Sequence, residues 1–409
     1  MTESVTTNST GHVEHFEPLD PELPNGYWQY SDGLRATRPV VRSDGHWSTE
    51  DTGFWLLSRH DDVYHAAADW QTYSSANGAT PVQFPVEMFR MIPLEVDPPL
   101  HRHVRRLLNP FFTVEAVAAA EHAATGIADA LLDECVAQGE CDFVAGFANL
   151  LPAQVFFRYF LDAADDQSKI PWVVRTILTM FEFPDKALEV APGLFAWYAE
   201  LLQGRRETGR REDLIGVIAH AGLDEAGDGF AMDDKQRLET LNMVVLAGME
   251  TTAAGLGNIA HHLATDQELR TSLRDANDDT LARAVDEFLR LDPPVPLAGR
   301  TLTKDVELRG CPMRAGDRIM LNWAGASRDP EVFPNPGNLD FTRANVAKHS
   351  SFGAGVHRCM GNHLARRELK AAIRAIAGLS TFELVEGARV NWRAAFARGP
   401  HALPVRIAR

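Results

Sequence analysis

The sequence predicts a mainly α protein with small β-sheets, the α+β class. Helical signals dominate from Asp61 to about Arg290, strand signals sit near both ends, and one helical run, Asp233 to Thr265, is long enough to cross a core. At 409 residues, 45% hydrophobic and 23% charged, the chain has the make-up of a globular protein rather than a disordered or fibrous one. A formal net charge of -16 argues against a nucleic-acid partner, since such proteins carry a basic footprint.

Residues 1–20, opening "MTESVTTNST", are polar and read as a flexible leader without the basic and apolar regions of a signal peptide. No later run approaches the length that spans a bilayer, so the expected address is cytoplasmic, with no membrane partner. Residues 21–409 read as a single domain. "RPVVRSDGHW" carries a Ser43-Asp44-Gly45 turn between β-prone runs, and "GFWLLSR" (Gly53 to Arg59) continues the pattern. "TVEAVAAAEHAATGIADALLDECVAQG" reads as a helix that Thr113 caps and Gly139 ends.

The run from Asp233 to Thr265 would be roughly 45–50 Å long at 1.5 Å per residue. Gly248, Glu250, Thr251 and Thr252 interrupt its apolar centre, and Gly and Thr weaken a helix interior, so a kink or widening is expected there. Strand signals return in "DVELRGCPMRAGDRIMLNWA" and "ALPVRIA". Isolated hairpins are marginal, so β elements from the two ends must pair. One interleaved domain follows, rather than two in succession.

Cys135, Cys141, Cys311 and Cys359 form neither a CxxC pair nor a disulfide framework, which fits a reducing compartment. Cys359 differs from the others in its setting, "HSSFGAGVHRCMGNHLARRELK" (His349 to Lys370), with glycines and basic residues around it and a helix behind it. A helix opened at Gly361 aims unpaired N–H groups at that sulfur and favours its thiolate. Phe352, Gly355, His357, Cys359 and Gly361 fit F-x-x-G-x-H-x-C-x-G, and with the mid-helix "AGMETT" the sequence resembles the haem-thiolate monooxygenases, the cytochrome P450 family.

The resemblance implies a helix-rich triangular prism with a long central helix over the haem. It implies haem b (iron protoporphyrin IX) with Cys359 as the metal ligand, flanked by Phe352, Gly353 and Gly361. His101 and Arg105, one turn apart in "DPPLHRHVRRLLNPFF", together with Arg300 and His357, match the propionate partners; two carboxylates near an apolar pocket need such charge-assisted bonds. Gly248 would open the helix over the haem, with Glu250 and Thr251 as the acid–alcohol pair that delivers protons. Glu287 and Arg290 in "DEFLR" lie three apart on one helix face, and the resemblance adds Arg343 to them as a structural cluster.

No dinucleotide or flavin fingerprint is present, so electrons would come from a ferredoxin and ferredoxin reductase. Arg102, Arg106, Arg358, Arg366 and Arg367 would form a basic docking face on an acidic protein. Candidate substrate contacts are Phe84, Met88, Phe89, Ile92, Val244, Ala247, Val295, Pro296, Leu297, Phe396 and His401, an apolar and partly aromatic set that suits a hydrophobic small molecule. Arg90 or His401 could hold a polar handle. The expected reaction is hydroxylation or oxidative dealkylation with dioxygen by a monomer. A peroxide-driven peroxygenase and a haem-based sensor or carrier are the alternatives; the intact acid–alcohol pair argues against both.

Overall fold

A computed structural model of the chain describes residues 13–14, 23–45, 53–80, 89–161, 167–222, 230–393 and 396–409. Its helices are α1 (Leu23–Thr37), α2 (His60–Ala68), α3 (Leu100–Leu108), α4 (Ala118–Gln138), α5 (Leu150–Tyr159), α6 (Ile170–Glu182), α7 (Pro184–Thr208), α8 (Leu214–His220), α9 (Asp234–Thr265), α10 (Gln267–Arg274), α11 (Asp278–Leu291), α12 (Trp323–Ser327) and α13 (Asn362–Ala377). The strands are β1 (Val13–Glu14), β2 (Val40–Ser43), β3 (Phe54–Leu57), β4 (Tyr73–Ser74), β5 (Glu140–Asp142), β6 (Leu297–Leu302), β7 (Val306–Leu308), β8 (Cys311–Met313), β9 (Arg318–Asn322), β10 (Thr381–Leu384) and β11 (Pro404–Ala408).

Elements distant in sequence do pair. In the six-stranded sheet, ordered β1-β2-β3-β9-β6-β4, β3 lies parallel to β9 with Leu56 opposite Met320, and β4 lies antiparallel to β6. β11 lies between β10 and β5 in a second sheet, and β7 with β8 forms a hairpin. Val13–Glu14, inside the stretch read as a leader, pairs with Arg42 and Ser43; the rest of residues 1–20 lies outside the described residues.

Helix α9 begins at a capping box: the Asp233 side chain accepts the Gln236 N–H at 2.7 Å, and the Gln236 side chain accepts the Asp233 N–H at 3.0 Å. It then runs 32 residues as continuous α-helix, with no π-type widening at Gly248–Thr252. Thr251 Oγ1 donates back to the Ala247 carbonyl at 3.1 Å, which satisfies the hydroxyl within the helix. By length and composition α9 is apolar enough to cross a bilayer, a correction to the expectation that no such run exists; most of it is buried inside the protein. It packs against α5, α6, α7 and α13, and the main core surrounds it.

Helix α4 ends at Gly139, which takes a left-handed φ of +73°, but it starts at Ala118 rather than at Thr113. Thr113 Oγ1 instead accepts the Ala116 N–H at 3.2 Å in a turn ahead of the helix. That local bond competes with capping and delays the first helical turn.

Candidate active site

A cavity of about 240 Å³ lies between α9 and the loop that carries Cys359. Met243, Val244, Ala247, Gly248, Thr251 and Thr252 line it from α9, in pairs four residues apart that share one helix face. The loop contributes Phe352, Gly353, Ala354, His357, Cys359, Met360 and Gly361.

The loop is held by its own backbone: Cys359 N–H donates to the Phe352 carbonyl at 2.8 Å, and Gly353 N–H donates to that of Ser350 at 2.8 Å. At Gly355, φ is +67° and a Cβ would fall 2.1 Å from the Ala67 carbonyl oxygen of α2, so no other residue fits. The Arg366 guanidinium lies over the Phe352 ring, 4.3 Å from its centroid, and bonds Asp286 at 2.8 Å.

The exposed surface of Cys359 opens into the cavity, with protein around it elsewhere. Burial raises the thiol pKa above its ordinary value; the Gly361 N–H and the cations Arg105, Arg366 and Arg358 oppose that rise without cancelling it. The helix start and arginines therefore ease ionisation but do not complete it. A coordinated metal cation would remove the proton outright.

Four basic groups meet at the cavity. His101 is 3% exposed, and neither ring nitrogen has a well-formed hydrogen bond, the Val356 backbone offering only a weak contact. Its ring meets that of His357 at a centroid distance of 4.5 Å, and His357 Nε2 lies 3.0 Å from Ser75 Oγ. Arg300 Nη1 donates to the Gly299 carbonyl at 2.6 Å, and Arg105 Nη1 to that of Arg358 at 2.8 Å. Burial, then repulsion from neighbouring cations, lowers His101 to about 4 and His357 to about 2; burial lowers Arg300 to about 10 against the pull of Asp97. Asp97 is itself bonded by Ser74 and Ser75. A buried cationic nest with an orphaned imidazole fits a ligand that brings carboxylates, and in this respect the residues present fit a haem with its propionates.

Thr251 and Thr252 face this cavity, but Glu250 does not line it. Consecutive helical residues point about 100° apart, which turns the carboxylate behind α9. Glu250 is 4% exposed, its Oε2 has no partner, and burial pushes its pKa up to about 7 against Arg393, with Glu182 adding to the rise. Glu368 on α13 is also buried without a well-formed hydrogen bond, the Thr252 hydroxyl making a weak contact; burial raises it well above the carboxylate range.

The structural cluster comes together on α11. Arg290 bonds Glu287 at 2.8 and 2.9 Å, and Arg343 reaches the same carboxylate. Among the substrate candidates, Val244, Ala247, Val295, Leu297 and Phe396 line the cavity. Phe89 and Ile92 are buried and do not line the cavity, Phe89 with its ring 5.7 Å from that of Phe195, while Pro93 and Leu94 line it. Pro296 turns its carbonyl to the Ala324 N–H, and His401 Nδ1 lies 3.6 Å from Glu182 Oε1, away from the cavity. Phe84 and Met88 lie outside the described residues.

On the basic face, Arg102, Arg106 and Arg358 are exposed, and Arg366 and Arg367 pair with Asp286 and Glu121. Sequence reasoning missed Met243, Thr252, Phe112 and Ala79 as lining residues. The four-residue spacing from Val244 and Ala247 gives a signal for Met243 and Thr252; Ala79 has none.

A family model described as Cytochrome P450 matches residues 186–390. Steroid C26-monooxygenase of Mycolicibacterium smegmatis is 30% identical over 401 residues, covering 94% of this chain and 96% of the relative. Nocardicin C N-oxygenase of Nocardia uniformis subsp. tsuyamanensis is 31% identical over 418 residues, covering 98% and 100%. The crystal structure of CYP108D1 from Novosphingobium aromaticivorans superposes with a TM-score of 0.80 at 29% identity, over 95% of this chain and 97% of that one.

Proposed function

The chain belongs to the cytochrome P450 family of monooxygenases, and from that premise we propose that it binds haem b through Cys359 and uses dioxygen and two electrons to hydroxylate or oxidatively dealkylate a hydrophobic small molecule. The observation that carries this reading is the convergence of Cys359, the four basic groups and Thr251 on one apolar cavity. When bound, haem supplies redox iron whose thiolate ligand favours O–O cleavage.

The chain's residues do the rest. His101, Arg105, Arg300 and His357 would hold two carboxylates, the arginines through charge-assisted bonds and the neutral imidazoles as hydrogen-bond donors. Thr251 Oγ1 holds a proton at the cavity surface. Glu250, one residue away in sequence with its carboxylate turned behind α9, would accept and release protons near neutral pH at its pKa of about 7. Met243, Val244, Ala247, Val295, Leu297 and Phe396 exclude water and favour an apolar substrate. The steroid named for one relative is of the same apolar class.

Electrons would come from an acidic ferredoxin, reduced by its reductase, that docks on Arg102, Arg106 and Arg358. The enzyme would work as a cytoplasmic monomer. The test is the absorption spectrum of the reduced protein under carbon monoxide, with Cys359→Ser beside it. A strongly red-shifted Soret band that the variant lacks supports the reading; no haem band, or a band of histidine ligation, overturns it. Substrate-dependent consumption of reduced nicotinamide cofactor that requires ferredoxin and reductase then separates a monooxygenase from a peroxygenase or a sensor.

A further inference from the structure

Two backbone N–H groups, of Ala79 and Met91, converge on one buried carboxylate. Glu95 is 7% exposed; its Oε1 accepts the Ala79 N–H at 3.0 Å and its Oε2 accepts the Met91 N–H at 3.0 Å. The Glu95 N–H donates back to the Met91 carbonyl at 2.8 Å, which closes the turn. The Ala79 carbonyl in turn accepts the Gly299 N–H of β6 at 2.9 Å. One residue earlier, the Arg90 N–H donates to Glu239 Oε1 on α9 at 2.8 Å. Ala79, Pro93 and Leu94, all within this framework, line the cavity.

We propose that Glu95 is a positioning residue for ligand selection: its ionised carboxylate ties β6-anchored Ala79 to the Met91–Glu95 turn and so sets the cavity wall that discriminates among ligands by size. Each oxygen faces a donor, so the arrangement calls for an acceptor on both sides. A protonated acid or a glutamine would turn a donor towards one of the two N–H groups. Burial raises the Glu95 pKa above its ordinary value, while the Met91 and Ala79 N–H groups and the facing charges Arg90 and Arg318 favour the ionised form and oppose that rise. Releasing one arm adds wall conformations that must be closed again on binding, which lowers apparent affinity for a ligand that touches the wall.

This inference rests on the haem reading, and the test separates the two. The haem-loaded full chain is titrated with imidazole and with 4-phenylimidazole and followed by absorbance, for wild type, Glu95→Gln and Glu239→Ala. Amide hydrogen exchange at Ala79 and Met91 is followed in the same proteins. Glu95→Gln should weaken 4-phenylimidazole roughly tenfold, as the loss of one buried hydrogen bond implies, and leave imidazole within about twofold. It should also speed exchange at one or both amides. In wild type the affinity ratio of the two ligands should fall on mild acidification and in Glu95→Gln it should be flat. Glu239→Ala should shift the ratio in the same direction. An unchanged ratio with unchanged exchange, or a parallel loss of both ligands, overturns the assignment, while failure of imidazole to perturb any haem band in wild type overturns the haem reading instead.

Discussion

Arg343 Nε donates to both carboxylate oxygens of Glu287, at 3.1 and 3.2 Å, across a sequence separation of 56 residues. Arg290 grips the same acid from one helical turn away, so two cations share one anion. The surplus charge is met by carbonyls: Arg290 donates to Ser327, Pro336 and Asn338, and Arg343 to Pro334. The cluster thereby pins the segment that precedes the Cys359 loop to α11.

Glu287 and Arg290 are both wholly buried, so removing the acid leaves two guanidinium groups out of water with carbonyl partners but no counter-charge. Glu287→Ala is expected to cost about 3–5 kcal/mol and to reduce haem retention. Arg343→Lys should cost less but still measurably, because one ammonium cannot reach the Glu287 carboxylate and the Pro334 and Asn338 carbonyls together as the planar guanidinium does. Urea denaturation checks both; a loss under about 1 kcal/mol for Glu287→Ala would mean that the cluster behaves like a screened surface pair.

Removing one cation from the cavity should move two observables in opposite directions. Arg300 lies beside His101, His357 and Arg105, wholly buried and with its pKa lowered by that burial, so Arg300→Leu removes a desolvated charge from the chain without haem and should raise its melting temperature. The same change takes away a carboxylate partner and should speed haem transfer to an acceptor such as apomyoglobin. A variant that loses stability and haem together would show that Arg300 serves the fold rather than the ligand.

Glu250 gives the stability a pH dependence with a definite sign. Its folded pKa of about 7 exceeds the ordinary 4.5, so between those values the folded chain binds more protons than the unfolded chain. Unfolding then releases a proton, and the stability contribution falls as pH rises through that window. At about 1.4 kcal/mol per unit the span is on the order of 3 kcal/mol. Glu250→Gln removes this slope, so the difference in melting temperature between variant and wild type should widen in the variant's favour from pH 5 to pH 7.5. A constant difference would mean that the carboxylate is solvated.

The parts legible in the sequence are those whose chemistry forces a residue type at a fixed spacing. Gly355 must be glycine because the Ala67 carbonyl leaves no room for a Cβ, and the capping box at Asp233 and Gln236 is written in the order of those two residues. What was not legible is direction. Phe89 and Ile92 are as apolar as Pro93 and Leu94, and hydrophobicity alone does not tell a residue facing the core from one facing a cavity. Glu250 stands beside Thr251 in sequence, yet the helical turn separates their side chains. The Thr113 cap failed for a related reason: a bond to a nearby N–H satisfied the hydroxyl before the helix began.

Gly248 is a further case where space rather than backbone freedom sets the residue. It lies inside α9, where alanine would ordinarily improve a helix by about 1 kcal/mol. A Cβ at this position would fall 2.3 Å from Cδ2 and 2.5 Å from Cε2 of Phe156, whose ring is wholly buried and stacked on Phe160. The ring cannot step aside, so the clash should outweigh the propensity gain and Gly248→Ala should destabilise by about 1–3 kcal/mol. Phe156→Leu removes the obstructing ring edge at its own cost in packing. In that background Gly248→Ala should become neutral or stabilising, a coupling of at least about 1 kcal/mol in a double-mutant cycle measured by urea denaturation. Additive effects would show that Phe156 is not what excludes a side chain at 248, and that the cavity surface itself demands the glycine.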